Sequence, residues 1–297
     1  MKYLYYFENF AQSEKFGNPL TEEEFQKLYN ENCKFHKNNF EKEDFVPLYR
    51  GIRVIRHDHF TDENVAYYQN PKGHIRKSIE DINIHVTILS ETDNWKEFPP
   101  YNQSIIGSTS IKDATDYGKL FEIIPFDNTK IGICPKENIW ESFGGFSNYN
   151  INPIYLVGNF LNGIDWRIKN ETNWLKIKGH IRKFIVDKLY NTIFENNIEY
   201  INVFFSMYYE YDKNGIINFD YEIKSEEILK EYINNLTNWE KITDFIEEIF
   251  KPERFSFESL IYNDNFSSKM YDLFDYRATD SIQIWCGGPV IIKKMFG

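Results

Sequence analysis

Ser104-Ile105-Ile106-Gly107-Ser108-Thr109-Ser110 is the stretch on which the reading of the fold turns. Its first half is apolar and β-branched, the composition of a strand that packs inside a sheet. Its second half is three consecutive hydroxyls, the residue type that ends strands and caps helices. A short helical segment is predicted from there to about Tyr117. Leu120-Phe121-Glu122-Ile123-Ile124 and Ile131-Gly132-Ile133 then read as two further strands.

Upstream, Val46 to Ile55 is rich in β-branched and aromatic residues and reads as a strand, with Arg50 at its centre. Burying a guanidinium is costly unless an anion meets it. A carboxylate answers that need, and so does a pyrophosphate, which matches the planar fork of donors. Residues 19–38 are predicted helical, because Thr21 and Glu24 have the spacing of a capping box. Residues 57–103 give no clear element. Within them, His57-Asp58-His59 reads as a solvated loop before it reads as a metal pair, for want of a third ligand. Trp95 and Phe98-Pro99-Pro100-Tyr101 suit either core packing or the wall of a pocket.

Downstream, residues 172–194 suggest a long helix, and Phe204 to Ile223 a hairpin turning on Asn214-Gly215. A helix is expected over 225–236. Thr237-Asn238-Trp239-Glu240 offers a second capping box, with Trp239, Ile242, Phe245, Ile246 and Ile249 on one helical face. The chain ends in two short strands, 281–286 and 289–294, joined at Gly287-Gly288. The first of them sets Gln283 among apolar neighbours. Lys-Gly-His-Ile-Arg-Lys occurs at 72–77 and again at 178–183, without matching flanks, so no repeat architecture is expected. Gly144-Gly145 lacks the strand-to-helix context of a phosphate loop and reads as a tight turn or a lid.

Composition narrows the function classes. The chain has 297 residues, 42% hydrophobic and 27% charged, the balance of a soluble domain or of one core with an insertion. Its net charge of −11 works against a diffuse grip on nucleic-acid phosphates, while leaving room for a local basic groove. No apolar run approaches the roughly 20 residues of a membrane span, and Met1 to Phe10 lacks the order of a signal peptide. Cys33, Cys134 and Cys286 are far apart, so neither a disulfide framework nor a structural zinc site is expected. The expectation is a cytoplasmic protein with no membrane partner.

Arg50 on one strand, Ser108-Thr109-Ser110 on a later one with Ala114 and Leu120–Ile124 behind it, and Gln283 on a strand near the end stand in a telling order. Together they resemble the arginine–serine–glutamate class of ADP-ribosyltransferases of bacterial toxins and phage-encoded modifying enzymes. The resemblance covers roughly residues 46–134 and 276–294. It implies an α+β fold whose core is two small, mostly antiparallel sheets packed together, with NAD+ in the cleft between them. A helical segment over 1–44 and a helix-rich insertion over about 150–270 would flank that core within a single domain. By resemblance, NAD+ is the substrate and no metal is needed. Arg50 would hold the phosphates, with Gly51 and Tyr117 beside it in the NAD+ site. Ser108 would orient the nicotinamide-side ribose, while Thr109 and Ser110 shape the strand and pocket.

The last motif departs from the pattern. The family usually has Gln or Glu, one residue, then the catalytic Glu; here the run is Ser281-Ile282-Gln283. Cleaving the nicotinamide–ribose bond builds positive charge on the ribose, and a carboxylate stabilises that charge where it develops. Glutamine keeps the shape and loses the charge. Gln283 is open to three readings: a natural loss of activity, an altered mechanism, or a deliberate replacement of glutamate. Glu137 and Glu141 are the alternative acids, although two glutamates near a helix start are unremarkable. The function implied is mono-ADP-ribosyl transfer to a protein or nucleic-acid acceptor. It would be the work of a toxin in a toxin–antitoxin or phage-defence system, with a cognate antitoxin as partner, or of a phage effector. The alternatives are a catalytically dead NAD- or partner-binding module and an NAD+ glycohydrolase.

Overall fold

The β-branched runs that punctuate this sequence assemble into one antiparallel sheet in a computed structural model. It describes residues 18–52, 66–72, 84–144, 152–165, 168, 171–187, 189, 198–217, 222–277 and 281–295. The strands are β1 (Asn18–Leu20), β2 (Leu48–Ile52), β3 (Ala66–Gln69), β4 (Ile105–Ser108), β5 (Lys119–Pro125), β6 (Lys130–Ile133), β7 (Glu258–Ile261), β8 (Gln283–Cys286) and β9 (Val290–Lys294). Their spatial order is β1-β3-β9-β5-β2-β4-β8-β6-β7. With the helices given below, the chain is α+β, as the sequence suggests.

The ladder is uneven. β5 pairs with β2 and with β9 over five residues each, and β4 pairs with β8 over four. β2 and β4 meet at a single pair, Tyr49 opposite Ser108. One hydrogen-bonded sheet therefore replaces the two separate sheets of the expectation, as two blocks of ladder joined at one bridge. Alternation along the strands sends Leu48, Ile52, Ile105, Phe121, Ile123, Ile284 and Cys286 into one apolar core. Phe266 and Met270 close that core from a helix over Phe266–Arg277.

The chain forms two compact units. One is drawn from Met1–Ile79, Lys96–Ser142 and Ser256–Gly297, the other from Glu80–Trp95 and Phe143–Phe255. The first holds the whole sheet. Its helices are α1 (Glu22–Asn32) and α2 (Lys34–Asn39), later α4 (Ile111–Thr115) and α5 (Ile139–Ser142), and finally α11 (Phe266–Arg277). The capping box holds: the Glu24 amide donates to Thr21 Oγ1 at 3.2 Å, and Glu24 Oε2 accepts from the Thr21 amide at 2.9 Å. The single helix expected over 19–38 breaks at Cys33. There the Asp127 carboxylate accepts from the amides of Lys34 and Phe35, each at 2.9 Å, and starts a second helix. His36 bridges Tyr29 and Glu122 at 2.9 and 3.0 Å and ties that helix to β5.

The second unit is helical: α3 (Ile84–Glu91), α6 (Pro153–Ile164), α7 (Trp174–Val186), α8 (Ile198–Asn214), α9 (Glu226–Asn234) and α10 (Glu240–Ile249). Its centre is aromatic, with Phe160 and Phe204 stacked at 3.7 Å and Phe205, Tyr208 and Phe245 around them. Two expectations fail here. In place of the first arm of the hairpin expected over 204–223, residues 204–214 belong to α8, because Ile201, Phe204, Phe205 and Tyr208 recur at helical spacing and are all buried, while residues 218–221 lie outside the described residues. Asn214-Gly215 ends that helix: Gly215 has φ +69° and its amide donates to the Tyr211 carbonyl at 2.7 Å. The start of α10 uses Asn238 rather than Thr237, with Asn238 Oδ1 accepting from the Lys241 amide at 3.3 Å. The expected face of α10 is present, since Ile242, Phe245, Ile246 and Ile249 are buried. The second copy of the hexapeptide lies on α7, where three of its side chains meet neighbours in the same unit. Lys178 pairs with Glu247 at 2.7 Å, His180 with Asp165 at 3.0 Å, and Arg182 lies over Trp239. Most of the first copy falls outside the described residues.

Candidate functional site

Three strands distant in the chain are consecutive in the sheet: β2 with Arg50, β4 with the hydroxyl run, and β8 with Gln283. The register is specific. Glu122 lies opposite Tyr49, Tyr49 opposite Ser108, and Ser108 opposite Gln283. Residues paired across strands share a face, so Tyr49, Ser108 and Gln283 form one row across the bridge between the two blocks.

The hydroxyls have separate jobs. Thr109 prolongs the ladder at one end with two bonds: its amide donates to the Ile282 carbonyl at 3.1 Å, and its Oγ1 accepts from the Ile282 amide at 3.0 Å. Ser110 is the N-cap of α4, accepting from the Asp113 amide at 3.3 Å. Ser108, buried, accepts from the Ser110 amide at 3.0 Å, and its Oγ lies 3.4 Å from Ser281 Oγ. Ser281 in turn donates to the Asp113 carboxylate. With its one proton committed there, Ser281 accepts from Ser108, giving a directed chain Ser108–Ser281–Asp113. Asp113 was not among the residues the sequence suggested. Its signal is local: it stands three residues after the Ser110 cap, the spacing of an S-x-x-D start.

Gln283 is 8% exposed. Its Oε1 accepts from the Ile139 amide at 2.6 Å and from Cys134 Sγ at 3.6 Å, while its own carbonyl accepts from the Cys134 amide at 2.9 Å. A carboxylate oxygen would serve those donors equally well, so the surroundings suit either residue. Glu137 and Glu141 are exposed, and Glu141 accepts from the Asn138 side chain at 3.0 Å at the start of α5. They serve that helix's surface rather than the row.

Arg50 is on the central strand but not on the face of the row. Alternation sets it with Leu48 and Ile52 on the core side, opposite Phe121. Its charge reaches the fully buried Cys286 thiol: burial drives that thiol's pKa up, and the guanidinium partly offsets the rise. Burial also raises the pKa of the Tyr49 phenol, and the Glu122 charge adds to the rise. Gly51 has a packing reason to be glycine. A Cβ there would lie 1.7 Å from the Ala114 carbonyl oxygen and 2.8 Å from Tyr117 Cβ, so α4 and its end rest directly on β2. The structure thus brings Ser108, Thr109, Ser110 and Gln283 together. It places Gly51 and Tyr117 against each other beside them, and turns Arg50 to the opposite face.

In the aromatic stretch before β4, Trp95 and Tyr101 are buried and Phe98 is half-buried. Trp285, on the face of Gln283, is flanked by Phe98 and Tyr101, and its indole donates to the Pro99 carbonyl at 2.9 Å. Trp95 belongs to the helical unit and donates to the Phe250 carbonyl at 2.9 Å. His57, Asp58, His59 and Gly145 lie outside the described residues. Among the described residues no group of three or more His, Cys, Asp or Glu is placed to hold a metal ion, and no helix is long and apolar enough to cross a membrane. The chain matches no protein-family model, no curated protein and no solved structure.

Proposed function

We propose that this chain binds NAD+ at the junction of β2, β4 and β8 and transfers its ADP-ribose to a macromolecular acceptor, a protein side chain or a nucleic-acid base. The observation that carries the reading is the adjacency of the three motif strands, with Tyr49, Ser108 and Gln283 in one cross-strand row. The donors suit the ligand by their chemistry. Hydroxyls and an amide match ribose hydroxyls, while Arg50, turned to the opposite face of β2, does not join them in that row. In the reaction the ribose C1′–N1 bond breaks with its electron pair going to the pyridinium nitrogen, and nicotinamide leaves neutral. A lone pair of the acceptor forms the new bond at C1′, and the acceptor's proton passes to bulk water. On this reading NAD+ is a substrate, no metal takes part, and the setting is a cytoplasmic toxin, held by an antitoxin, or a phage effector.

A second reading has a specific observation behind it. The amide at 283 carries no charge, and its oxygen is already held by the Ile139 amide. That arrangement favours a module that binds NAD+ without turning it over. Both readings are separated by incubating the chain and its Gln283→Glu variant with NAD+ labelled in the adenylate half and with cell lysate, then digesting with protease or with nuclease. Transfer predicts label on one class of macromolecule, stronger with the variant. Free labelled ADP-ribose alone marks a glycohydrolase. Intact NAD+ throughout refutes catalysis.

A further inference from the structure

The geometry points to Asp113 as the residue that supplies, through Ser281 and Ser108, the negative charge that Gln283 does not. This inference rests on the proposed NAD+ reading. Asp113 is fixed from two sides: its amide by the Ser110 cap at 3.3 Å, and its carboxylate by the Ser281 hydroxyl. Ser281 is two residues before Gln283, hence on the same side of an extended chain and about 6.6 Å along it. Its oxygen is 3.4 Å from Ser108 Oγ, and Ser108 is the ladder partner of Gln283. A carboxylate, two hydroxyls and an amide are therefore strung around one strand end, and on the NAD+ reading the Ser108 oxygen is the member of the row that meets a ribose hydroxyl. As positive charge develops at C1′, the Asp113 anion draws the Ser281 proton and, through it, the Ser108 proton. That leaves Ser108 a better acceptor for a ribose hydroxyl. Asp113 is a positioning residue in this scheme, since it acts through Ser281 and does not touch the sugar.

A merely structural Asp113, holding α4 in place, would matter equally whatever stands at 283. A charge donor would not. The test is a double-mutant cycle on nicotinamide release and NAD+ KM with the wild-type chain, Asp113→Asn, Gln283→Glu and the double variant. Asp113→Asn is expected to lower kcat by about tenfold or more in the wild-type background, with KM within about twofold. In the Gln283→Glu background the same change is expected to cost about twofold or less. Ser281→Ala, which cuts the chain in the middle and leaves both carboxyl positions intact, is expected to reproduce the Asp113→Asn loss. Equal cost in both backgrounds, or no cost, overturns the inference. A wild-type chain that is inert while Gln283→Glu is active overturns it too, and leaves the NAD+ reading standing. No release of nicotinamide and no binding of NAD+ by any of the five chains overturns both.

Discussion

Substituting Gly51 by alanine sets the packing of α4 on β2 against a matched control elsewhere in the chain. The added methyl would sit 1.7 Å from the Ala114 carbonyl oxygen, about half of an ordinary contact of about 3.5–4.0 Å. That oxygen is backbone, so relief requires α4 to lift or β2 to bend. Overpacking of this kind costs about 1–3 kcal/mol. Lifting α4 also strains its Ser110 cap, worth about 1 kcal/mol. The expected loss is about 2–4 kcal/mol, and the displaced Asp113 would lose Ser281. Gly179 is the control: it lies exposed within α7, and a Cβ there meets nothing within 4 Å. Gly179→Ala is expected to stabilise by about 0.4–1 kcal/mol, because alanine restricts the unfolded chain and favours helix. Urea unfolding followed by tryptophan fluorescence would show midpoints moving in opposite directions. A Gly51→Ala protein within about 0.5 kcal/mol of wild type would refute the close approach of α4 to β2.

Gly132 faces the Trp285 indole, which a Cβ would meet at 2.0 Å. Gly132→Ala is therefore expected to displace Trp285, destabilise by about 1–3 kcal/mol and change the near-ultraviolet circular dichroism. Thr21→Ala removes the hydroxyl half of the α1 capping box, leaving the residue-21 amide to donate to Glu24, and is expected to cost about 1 kcal/mol in chemical denaturation. The Asp212 carboxyl titrates below its ordinary 3.8, first because Lys241 donates to it and then because Tyr232 does, against the opposing effect of burial. A lowered folded pKa stabilises the native state above 3.8, and that stabilisation is lost as pH falls through the lowered value. Melting temperatures of wild type and Asp212→Asn should thus converge only as pH falls below 3.8; a gap that closes entirely above that pH would contradict the assignment.

What the sequence reveals and what it hides follow from the range of the forces involved. The Thr21–Glu24 box was legible because it is closed by residues three apart. The strands through Arg50, Ser108 and Gln283 were legible because burial on the sheet selects β-branched and aromatic residues. Asn214-Gly215 misled because a left-handed glycine ends a helix as readily as it turns a hairpin; the i, i+3, i+4, i+7 spacing from Ile201 to Tyr208 was the better guide. β7 fully buries none of its four residues and so carries no apolar alternation to read, and the run from Ile84 to Leu89 is buried on all sides and shows no helical face. Strand order is a long-range outcome. Nothing local says that β8 inserts between β4 and β6 while β9, only three residues on, joins β3 and β5. The orientation of Arg50 followed from register, which a one-residue slip would have reversed. Asp113 was overlooked for the same reason: its partner Ser281 is 168 residues away.

The central claim is that the junction of β2, β4 and β8 holds NAD+. Calorimetric titration of NAD+ into the chain and into Gln283→Glu, with nicotinamide release followed on the same samples, tests it most directly. Binding of one NAD+ per chain by both proteins is predicted. Release should be faster in the variant by on the order of 10²-fold, the effect of restoring one preorganised group at the developing charge. Absence of binding heat from both, with no nicotinamide released, would contradict the account.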